Sequence, residues 1–140
     1  MEIKQALIEH LTKVYNLICE LENEKIDKDK FTKIYLENIN NDNIFYLIAA
    51  DKEEVIGFSS VHIQNLLHHC AKVAEVQELI VSKDYQGLGV GGLLFDEMKK
   101  LASLNNCTEF EVCCNLKREK SHKFYLKKGL KKSHYKFTSL

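Results

Sequence analysis

Apolar residues recur at helical spacing in two stretches near the start of the chain. In the first stretch, which runs to about residue 24, they are Leu7, Leu11, Val14, Ile18 and Leu21. The second stretch follows an acidic residue that can cap a helix, Asp27 or Asp29, and its apolar positions are Phe31, Ile34, Tyr35 and Ile39. Such spacing puts the apolar side chains on one face of a helix. The pattern therefore predicts two amphipathic helices, preceded by a short strand at residues 2 to 6.

Shorter apolar runs bounded by turn residues predict strands. The predicted strands cover residues 44–50, 55–64, 73–81, 110–114 and 135–138. The first two are joined by Asp51-Lys52-Glu53-Glu54 and should form a hairpin. Helical spacing returns from about residue 90 to residue 102 and from residue 118 to residue 128, where Gly129 ends the helix. This order of elements predicts a mixed α/β sheet whose first part is antiparallel.

The composition of the chain limits the classes of protein to which it can belong. The chain has 140 residues, of which 45% are hydrophobic and 29% charged, and this predicts one folded domain spanning residues 1–140. The 20 basic residues balance the 20 acidic ones, so we expect no nucleic-acid partner. No apolar run approaches a membrane span and no signal peptide is evident, so we expect a cytoplasmic protein with no membrane partner. The cysteines lack a CxxC spacing and are expected to be free thiols: Cys19, Cys70, Cys107, Cys113 and Cys114.

Four of the six glycines lie close together, between a predicted strand and a predicted helix. They fall in the segment Gln86-Gly87-Leu88-Gly89-Val90-Gly91-Gly92. Glycine lets backbone N–H groups approach a ligand closely, and the start of a helix adds unpaired donors and a partial positive charge. The segment therefore predicts a site for a phosphate-bearing ligand at residues 86 to 92.

Two common phosphate-binding patterns fit this segment poorly. Gly87-x-Gly89-x-x-Gly92 matches the dinucleotide-binding pattern, but no acidic residue stands at the end of the next strand to hold the ribose. No Gly-Lys-Ser/Thr is present, which excludes a P-loop. A glycine-rich turn without a ligand is the remaining alternative, and the conformational entropy that four glycines lose on folding argues against it.

A third pattern fits along most of the chain. Gln86-x-x-Gly89-x-Gly91, after the strand that ends Leu79-Ile80-Val81, resembles the coenzyme A motif of the GNAT acetyltransferases. Downstream, Arg118-x-x-Ser121-His122-x-Phe124-Tyr125-x-x-x-Gly129 resembles the second motif of that family, with Leu130 where the family usually has phenylalanine. The resemblance implies the GNAT fold, a mixed and mostly antiparallel central sheet flanked by helices, with acetyl-CoA as cosubstrate. It implies that the coenzyme contacts Leu79, Ile80, Val81, Gln86, Gly87, Leu88, Gly89, Val90, Gly91, Gly92, Asn115, Arg118, Ser121 and Tyr125.

Further segments resemble the bacterial aminoalkylphosphonate N-acetyltransferases. They include Ile18-Cys19-Glu20-Leu21, Leu67-His68-His69 and Glu75-Val76-Gln77-Glu78-Leu79. The resemblance implies N-acetylation of the primary amine of a small molecule, an aminoalkylphosphonate. Other acceptors stay open (a polyamine, an amino acid or a protein N-terminus), as does an acetyl-CoA-binding sensor without turnover. The oligomeric state also stays open, a homodimer included.

Three residues are candidates for the proton transfers. The resemblance implies that Tyr125 protonates the leaving thiolate, and the alternative is a core aromatic residue. Strand alternation places Glu75 and Glu78 on opposite faces of their strand. By position, Glu75 resembles the base of the histone-acetylating branch of the family. A β-bulge, which the family usually has in this strand, would shift the register and could bring Glu78 into the cleft. A solvated glutamate, or a water relay to a more distant carboxylate, is the alternative.

Two histidines and a basic segment complete the candidates. The resembled phosphonate enzymes depend on a divalent metal, and the residues that could hold it are His68 or His69 with Glu75 or Glu78. A loop histidine without a ligand role is the alternative. The last helix has a basic start that comprises Lys117, Arg118, Lys120 and Lys123. One or two of these are expected to contact phosphate or phosphonate groups, and a solvated face is the alternative.

Overall fold

The computed structural model of the protein describes residues 1–139 and contains a five-stranded sheet in the order β1-β2-β3-β4-β5. The strands are β1 Glu2–Gln5, β2 Ile44–Asp51, β3 Glu54–Leu66, β4 Ala71–Val81 and β5 Glu109–Val112. The helices are α1 Leu11–Glu22, α2 Lys28–Ile39, α3 Val90–Leu104 and α4 Glu119–Lys127. No helix among the described residues is long and apolar enough to cross a membrane.

The first two helices begin where local capping allows. Residues 8–10 form a 3₁₀ turn in which the imidazole of His10 accepts a hydrogen bond from the Leu7 amide at 2.9 Å, so α1 starts at Leu11 rather than Leu7. Helix α2 is capped by Asp27, whose carboxylate accepts a hydrogen bond from the Lys30 amide at 3.0 Å. This satisfies one of the free amides of the first turn, and it identifies Asp27 rather than Asp29 as the cap.

The sheet is mixed, as predicted. Strands β1 to β4 pair antiparallel in chain order, and β2 and β3 form the expected hairpin. Strand β5 is parallel to β4 and pairs with it over four residues, from Val73↔Glu109 to Val76↔Val112. Helix α3 forms the crossover connection that a parallel pair of strands requires.

Two hydrophobic cores lie on opposite faces of the sheet. On one face, α3 buries Val90, Leu94 and Met98 against residues such as Val61 and Val76. On the other face, α1 packs on β3 and β4 and α2 packs on β2, and this core includes Val14, Leu17, Tyr35, Tyr46, Ile48 and Phe58. The β5 end of this second face is less covered by the two helices, and it carries the polar residues Glu109 and Glu111.

A β-bulge in β4 decides which of its side chains reach that polar region. The register runs Val61↔Val76 and then Ser60↔Glu78, so Gln77 is the extra residue. Beyond the bulge, Leu79 contacts the α3 core and Ile80 contacts the α1–α2 core. Glu75 and Glu78 consequently share the α1–α2 face of the sheet. The prediction from strand alternation, which placed Glu75 and Glu78 on opposite faces, is wrong. The alternative prediction, a β-bulge that shifts the register of this strand, is confirmed.

The strand predicted at residues 135–138 is wrong. Residues 130–139 contain no strand, and residues 131–139 are exposed throughout. The side chains of Tyr135 and Phe137 are 81% and 91% exposed, so they gain no burial from an extended conformation. Alternation of aromatic and polar residues is therefore not sufficient for a strand here, because no neighbouring strand pairs with the segment.

Candidate active site

A cleft opens between β4 and β5 where their pairing stops. The ladder ends at Val76↔Val112, immediately before the bulge, while β4 continues to Val81. Because a bulge bends its strand, the two chains diverge from this point. The cavity between them has a volume of about 220 Å³. It is lined by Leu21, Glu22, Val76, Gln77, Glu78, Leu79, Val112, Cys113, Cys114, Asn115, Arg118, Ser121 and Tyr125.

The glycine-rich loop leads from β4 into α3. Gly87 and Gly89 have φ of 79° and 86°, in the left-handed region that residues with a Cβ avoid. Gly89 is the N-cap of α3, and the first turn of the helix contains no acidic residue. Among residues 1–139, no acceptor takes the backbone N–H groups of residues 87–92. The loop thus presents free donors at the positive end of a helix dipole, which suits a phosphate or pyrophosphate.

The predicted coenzyme contacts divide between the cleft and the loop. The cleft contains Leu79, Asn115, Arg118, Ser121 and Tyr125. Ile80 and Val81 pack instead in the two cores, and Val90 is buried in the first turn of α3. The side-chain amide of Gln86 donates to the Val81 carbonyl at 3.0 Å, and Leu88 is exposed on the loop. These side chains shape the loop, whereas the backbone amides of residues 87–92 remain free.

Tyr125 lies on α4 with its ring against the aromatic core beneath the cleft. Its ring centroid is 5.3 Å from that of Phe124 and 6.2 Å from that of Phe95. Burial raises the pKa of Tyr125 to about 12, a nearby Cys114 charge acts in the same direction, and Arg118 opposes both. The phenol therefore keeps its proton at neutral and moderately alkaline pH and can act as a proton donor.

Arg118 closes the far side of the cleft. Its guanidinium donates a hydrogen bond to the Leu21 carbonyl at 3.0 Å, which joins the end of α1 to the start of α4. Nearby, the thiol of Cys114 has a pKa that burial raises, while Arg118 and Ser121 act in the opposite direction. Arg118 thus combines a structural contact with a positive charge at the cleft, whereas Lys117, Lys120 and Lys123 are exposed.

Glu78 lies between this cleft and a second cavity. The second cavity has a volume of about 340 Å³ and is bounded by α1, α2 and the sheet, with Glu78 among its lining residues. Ser60, which is fully buried on β3, donates a hydrogen bond to the Glu78 carboxylate and accepts one from the Glu78 amide at 3.1 Å. The negative charge of Glu78 also contributes to raising the pKa of Tyr46, after burial. A carboxylate held this way can accept a proton from a group that bridges the two cavities.

Glu75 has different surroundings, although it shares a sheet face with Glu78. The Gln77 side-chain amide donates a hydrogen bond to Glu75, and the Cys113 thiol lies 3.9 Å from its other oxygen. Glu75 borders neither of the two cavities. The two candidate bases therefore differ in position, because Glu78 borders both cavities and Glu75 borders neither.

The two histidines also differ. Residues 67–70 form a turn, His68 is exposed, and the His68 and His69 rings lie 4.2 Å apart. His69 is brought together with Glu109 and Glu111, and not with Glu75 or Glu78 as expected. One imidazole and two carboxylates are a donor set that a divalent metal ion can use, whereas His68 is outside this set.

Three residues of these clusters were missed by sequence reasoning. Ser60 has a local signal, because Ser59-Ser60 interrupts an apolar run that is otherwise typical of a buried strand. Glu109 and Glu111 have none, because alternating acidic residues on a short strand are usually solvated. Their relation to His69 depends on β4 and β5 being parallel neighbours.

Comparison with known proteins agrees with this geometry. The sequence profile of the acetyltransferase (GNAT) family matches residues 7–130. The chain belongs to the GNAT acetyltransferase family. It is an N-acetyltransferase, and this family uses acetyl-CoA as its cosubstrate.

Three individual proteins illustrate what this chain is similar to. This GNAT protein is 35% identical to the aminoalkylphosphonate N-acetyltransferase of Salmonella typhimurium, over 98% of this chain and 89% of the relative. It is 25% identical to glucosamine 6-phosphate N-acetyltransferase 1 of Dictyostelium discoideum, over 80% and 78% of the two chains. The crystal structure of a transcriptional regulator from Bacillus halodurans superposes with a TM-score of 0.91 over 99% of this chain and 98% of that chain, at 18% identity. Likeness at that identity shows the fold alone.

Proposed function

We propose that this protein transfers the acetyl group of acetyl-CoA to the primary amine of an aminoalkylphosphonate. The observation that carries the proposal is the position of Glu78, whose side chain borders both the cleft between the diverging strands and the cavity beneath α1 and α2. A thioester in the cleft and an amine in the cavity would meet at this carboxylate.

The substrate class is supported by the relatives. The Salmonella relative is named for aminoalkylphosphonates and the Dictyostelium relative for glucosamine 6-phosphate. Both named acceptors combine an amine with a phosphorus oxyanion. The higher identity and the longer coverage of the Salmonella relative favour the phosphonate.

Groups of this chain can be assigned to each step of the proposed reaction. The phosphonate dianion raises the pKa of the neighbouring ammonium group, so the amine must lose a proton, which Glu78 accepts. The amine nitrogen then attacks the thioester carbon, and free backbone amides at the unpaired edge of β4 stabilise the oxyanion. When the intermediate collapses, the carbon–sulfur bond breaks and the thiolate takes the phenolic proton of Tyr125, while the nitrogen releases its second proton to solvent, from which the phenolate is reprotonated. The loop of residues 86–92 and Arg118 hold the phosphates of the coenzyme.

A polycationic acceptor is the second candidate, and one observation favours it. Glu75, Glu78, Glu109 and Glu111 lie on the same face of the sheet, as the strand registers require. This acidic face would attract a polyamine directly.

The experiment is a comparison of acceptors by thiol release from acetyl-CoA. The acceptors are 2-aminoethylphosphonate, ethylamine (which lacks the phosphonate), glucosamine 6-phosphate and spermidine, each with added Mn²⁺. We expect kcat/KM for the phosphonate to exceed that for ethylamine at least about tenfold, because charged contacts of the oxyanion are worth about 1.5–3 kcal/mol each. Equal values for these two, or a higher value for spermidine, would contradict the proposal. Thiol release with any acceptor excludes a sensor without turnover.

A further inference from the structure

Residues 131–139, which we call the tail, form no hydrogen bond or ion pair with the rest of the residues that the structure describes. Every residue of the tail is exposed. Its side-chain hydrogen bond joins the neighbours Ser133 and His134. Two large aromatic side chains, Tyr135 and Phe137, therefore lie close together in water, which is a feature of surfaces that meet a partner.

The tail leaves α4 in a fixed direction. Gly129 has a left-handed φ of 92°, and the Leu130 amide donates to the Tyr125 carbonyl at 3.1 Å, a hydrogen bond typical of the end of a helix. Because this turn is hydrogen-bonded, no flexible linker separates the tail from the helix. The direction that the turn sets leaves the tail in solvent and not beside β5 of its own chain.

Strand β5 has a free edge. The sheet ends at β5, which pairs with β4 on one side and with no strand of residues 1–139 on the other. The N–H and C=O groups that β5 directs away from β4 have no backbone partner among these residues. An unpaired edge of this kind is a template for an added strand.

The apolar side chains of the tail and of β5 match in spacing. Phe110 and Val112 lie on the face of β5 that packs against the α3 core, and the Phe110 ring centroid is 5.3 Å from that of Phe95. Tyr135 and Phe137 are likewise two residues apart, so they lie on one face of an extended tail. A tail paired with β5 would place them beside Phe110 and Val112 and would continue this core beyond the end of the sheet.

The charged side chains match as well. The opposite face of β5 carries Glu109 and Glu111, and among residues 1–139 their one ion pair joins Glu109 to His69 at 3.1 Å. The tail contains no acidic residue, and its basic residues are Lys131, Lys132, His134 and Lys136. Lys136 falls on the face opposite the aromatic side chains. The pairing that joins the apolar residues therefore also brings this lysine to the two glutamates.

We propose that two copies of this chain exchange their tails, and that each tail adds a strand to the sheet of the other copy at β5. Each copy offers one tail and one free edge, so the exchange is reciprocal and closes after two copies. Strand β5 leads directly into Cys113, Cys114 and Asn115, which line the cleft, so the added strand would border the proposed coenzyme site. The exchange does not depend on the identity of the acceptor.

The first test measures the dimer dissociation constant of the full chain by sedimentation equilibrium. Lys136→Glu and, separately, Glu111→Lys put like charges side by side at both contacts of an exchanged pair. We expect each variant to raise the Kd at least about tenfold, because like charges on neighbouring strands repel. Both sites are on exposed or edge segments, so the fold of the single chain should persist, which circular dichroism checks.

Lys131→Glu is the matched control for the charge change. It lies outside residues 134–137, which would face the four residues of β5, and it should leave the Kd within a few-fold of the wild-type value. A wild-type protein that is monomeric at every concentration would overturn the proposal. The same Kd in the wild type, Lys136→Glu and Glu111→Lys would overturn it too.

The second test separates exchange between copies from pairing within one chain. In an equimolar mixture of Lys136→Glu and Glu111→Lys, the altered tail of the first variant can meet the altered β5 of the second, and the two unaltered segments can meet each other. Both contacts then join opposite charges. We expect the mixture to form dimers at concentrations at which each variant alone is monomeric. If mixing restores no dimer, the tails are not exchanged and the proposal is wrong. Neither test uses a substrate, so the proposed function and the exchange fail separately.

Discussion

The surroundings of Tyr125 keep its phenol in the protonated state. Its phenol is held against an aromatic core, and burial is the main reason that its pKa rises to about 12. A thiolate leaving group needs a donor that is still protonated when the carbon–sulfur bond breaks. A raised pKa secures this, because the protonated form persists at any pH below the pKa.

Tyr125→Phe should therefore keep the fold and coenzyme binding while it lowers turnover. The ring packing is preserved and only the hydroxyl is lost, and general acid catalysis is typically worth about a hundredfold or more. Steady-state kcat, with coenzyme affinity by calorimetry as control, tests this. A variant with the wild-type kcat across the pH range would remove Tyr125 from the mechanism.

The two glutamates of β4 show what a sequence could and could not predict at this scale. Both were recognisable as candidate bases, because both are carboxylates on the strand that enters the glycine loop. Their separation depends on Gln77 being the bulged residue, and a bulge is a property of the pairing between β3 and β4. The contact with Ser60 likewise depends on the register.

At the scale of elements, the glycine loop and the start of α3 act together. Gly87 and Gly89 have left-handed φ angles, the backbone amides of residues 87–92 have no acceptor among the described residues, and the helix adds its dipole. This part was predictable, because it rests on local sequence and on the conformational freedom of glycine.

Gly89→Asp should weaken coenzyme binding more than Gly89→Ala does. Both variants force a left-handed φ on a residue with a Cβ, which costs roughly 1–2 kcal/mol, but only aspartate adds a negative charge where the pyrophosphate should lie. We expect at least about a tenfold further loss of acetyl-CoA affinity for aspartate, decreasing with added salt. Calorimetry at two salt concentrations provides the measurement. Equal affinities for the two variants would contradict this location of the pyrophosphate.

The bulge in β4 is the second element with a functional consequence. Deletion of Gln77 would leave Glu78 opposite Ser60 in a regular ladder, so the carboxylate would keep its face. The strand would lose its bend, however, and pairing with β5 could continue past Val76 and close the cleft.

We therefore expect the Gln77 deletion to fold and to lose coenzyme binding. Far-UV circular dichroism and thermal unfolding report the fold, and calorimetry reports binding. A folded deletion variant that binds acetyl-CoA as well as the wild type would show that the bulge does not open the cleft.

The prediction of secondary structure failed in the last segment of the chain. Residues 135–138 have the composition of a strand, and the structure describes them as exposed and irregular. Strand propensity is largely a measure of packing against neighbours, and sequence alone does not say whether a neighbouring strand is present.

At the scale of the whole molecule, two cavities meet at Glu78, and a two-substrate reaction needs two such spaces. The cleft between β4 and β5 is bordered by α4, and the other cavity lies beneath α1 and α2. The mixed sheet was predictable from the order of helices and strands along the chain, because apolar residues repeat at one spacing in helices and at another in strands. The placement of the cavities follows from long-range packing and was not predictable.

The cleft can be mapped by the reactivity of its own cysteines. Cys113 is exposed and lines the cleft, whereas Cys70 is exposed in the turn at the other end of β4. With acetyl-CoA at about ten times its Kd, alkylation of Cys113 should slow roughly tenfold, because only the free protein reacts. Mass spectrometry measures both sites, and Cys70 in metal-free protein is the internal control. Unchanged labelling of Cys113 would place the coenzyme elsewhere.

The most direct test of the account is the comparison of Glu78→Gln with Glu75→Gln in thiol release with 2-aminoethylphosphonate. Both changes remove one carboxylate from the same face of the same strand, and only Glu78 borders the two cavities. We predict that Glu78→Gln lowers kcat/KM about a hundredfold or more, the typical contribution of a general base, and that Glu75→Gln changes it by no more than a few-fold. A larger loss in Glu75→Gln, or equal losses in the two variants, would contradict the assignment of Glu78 as the group that accepts the amine proton.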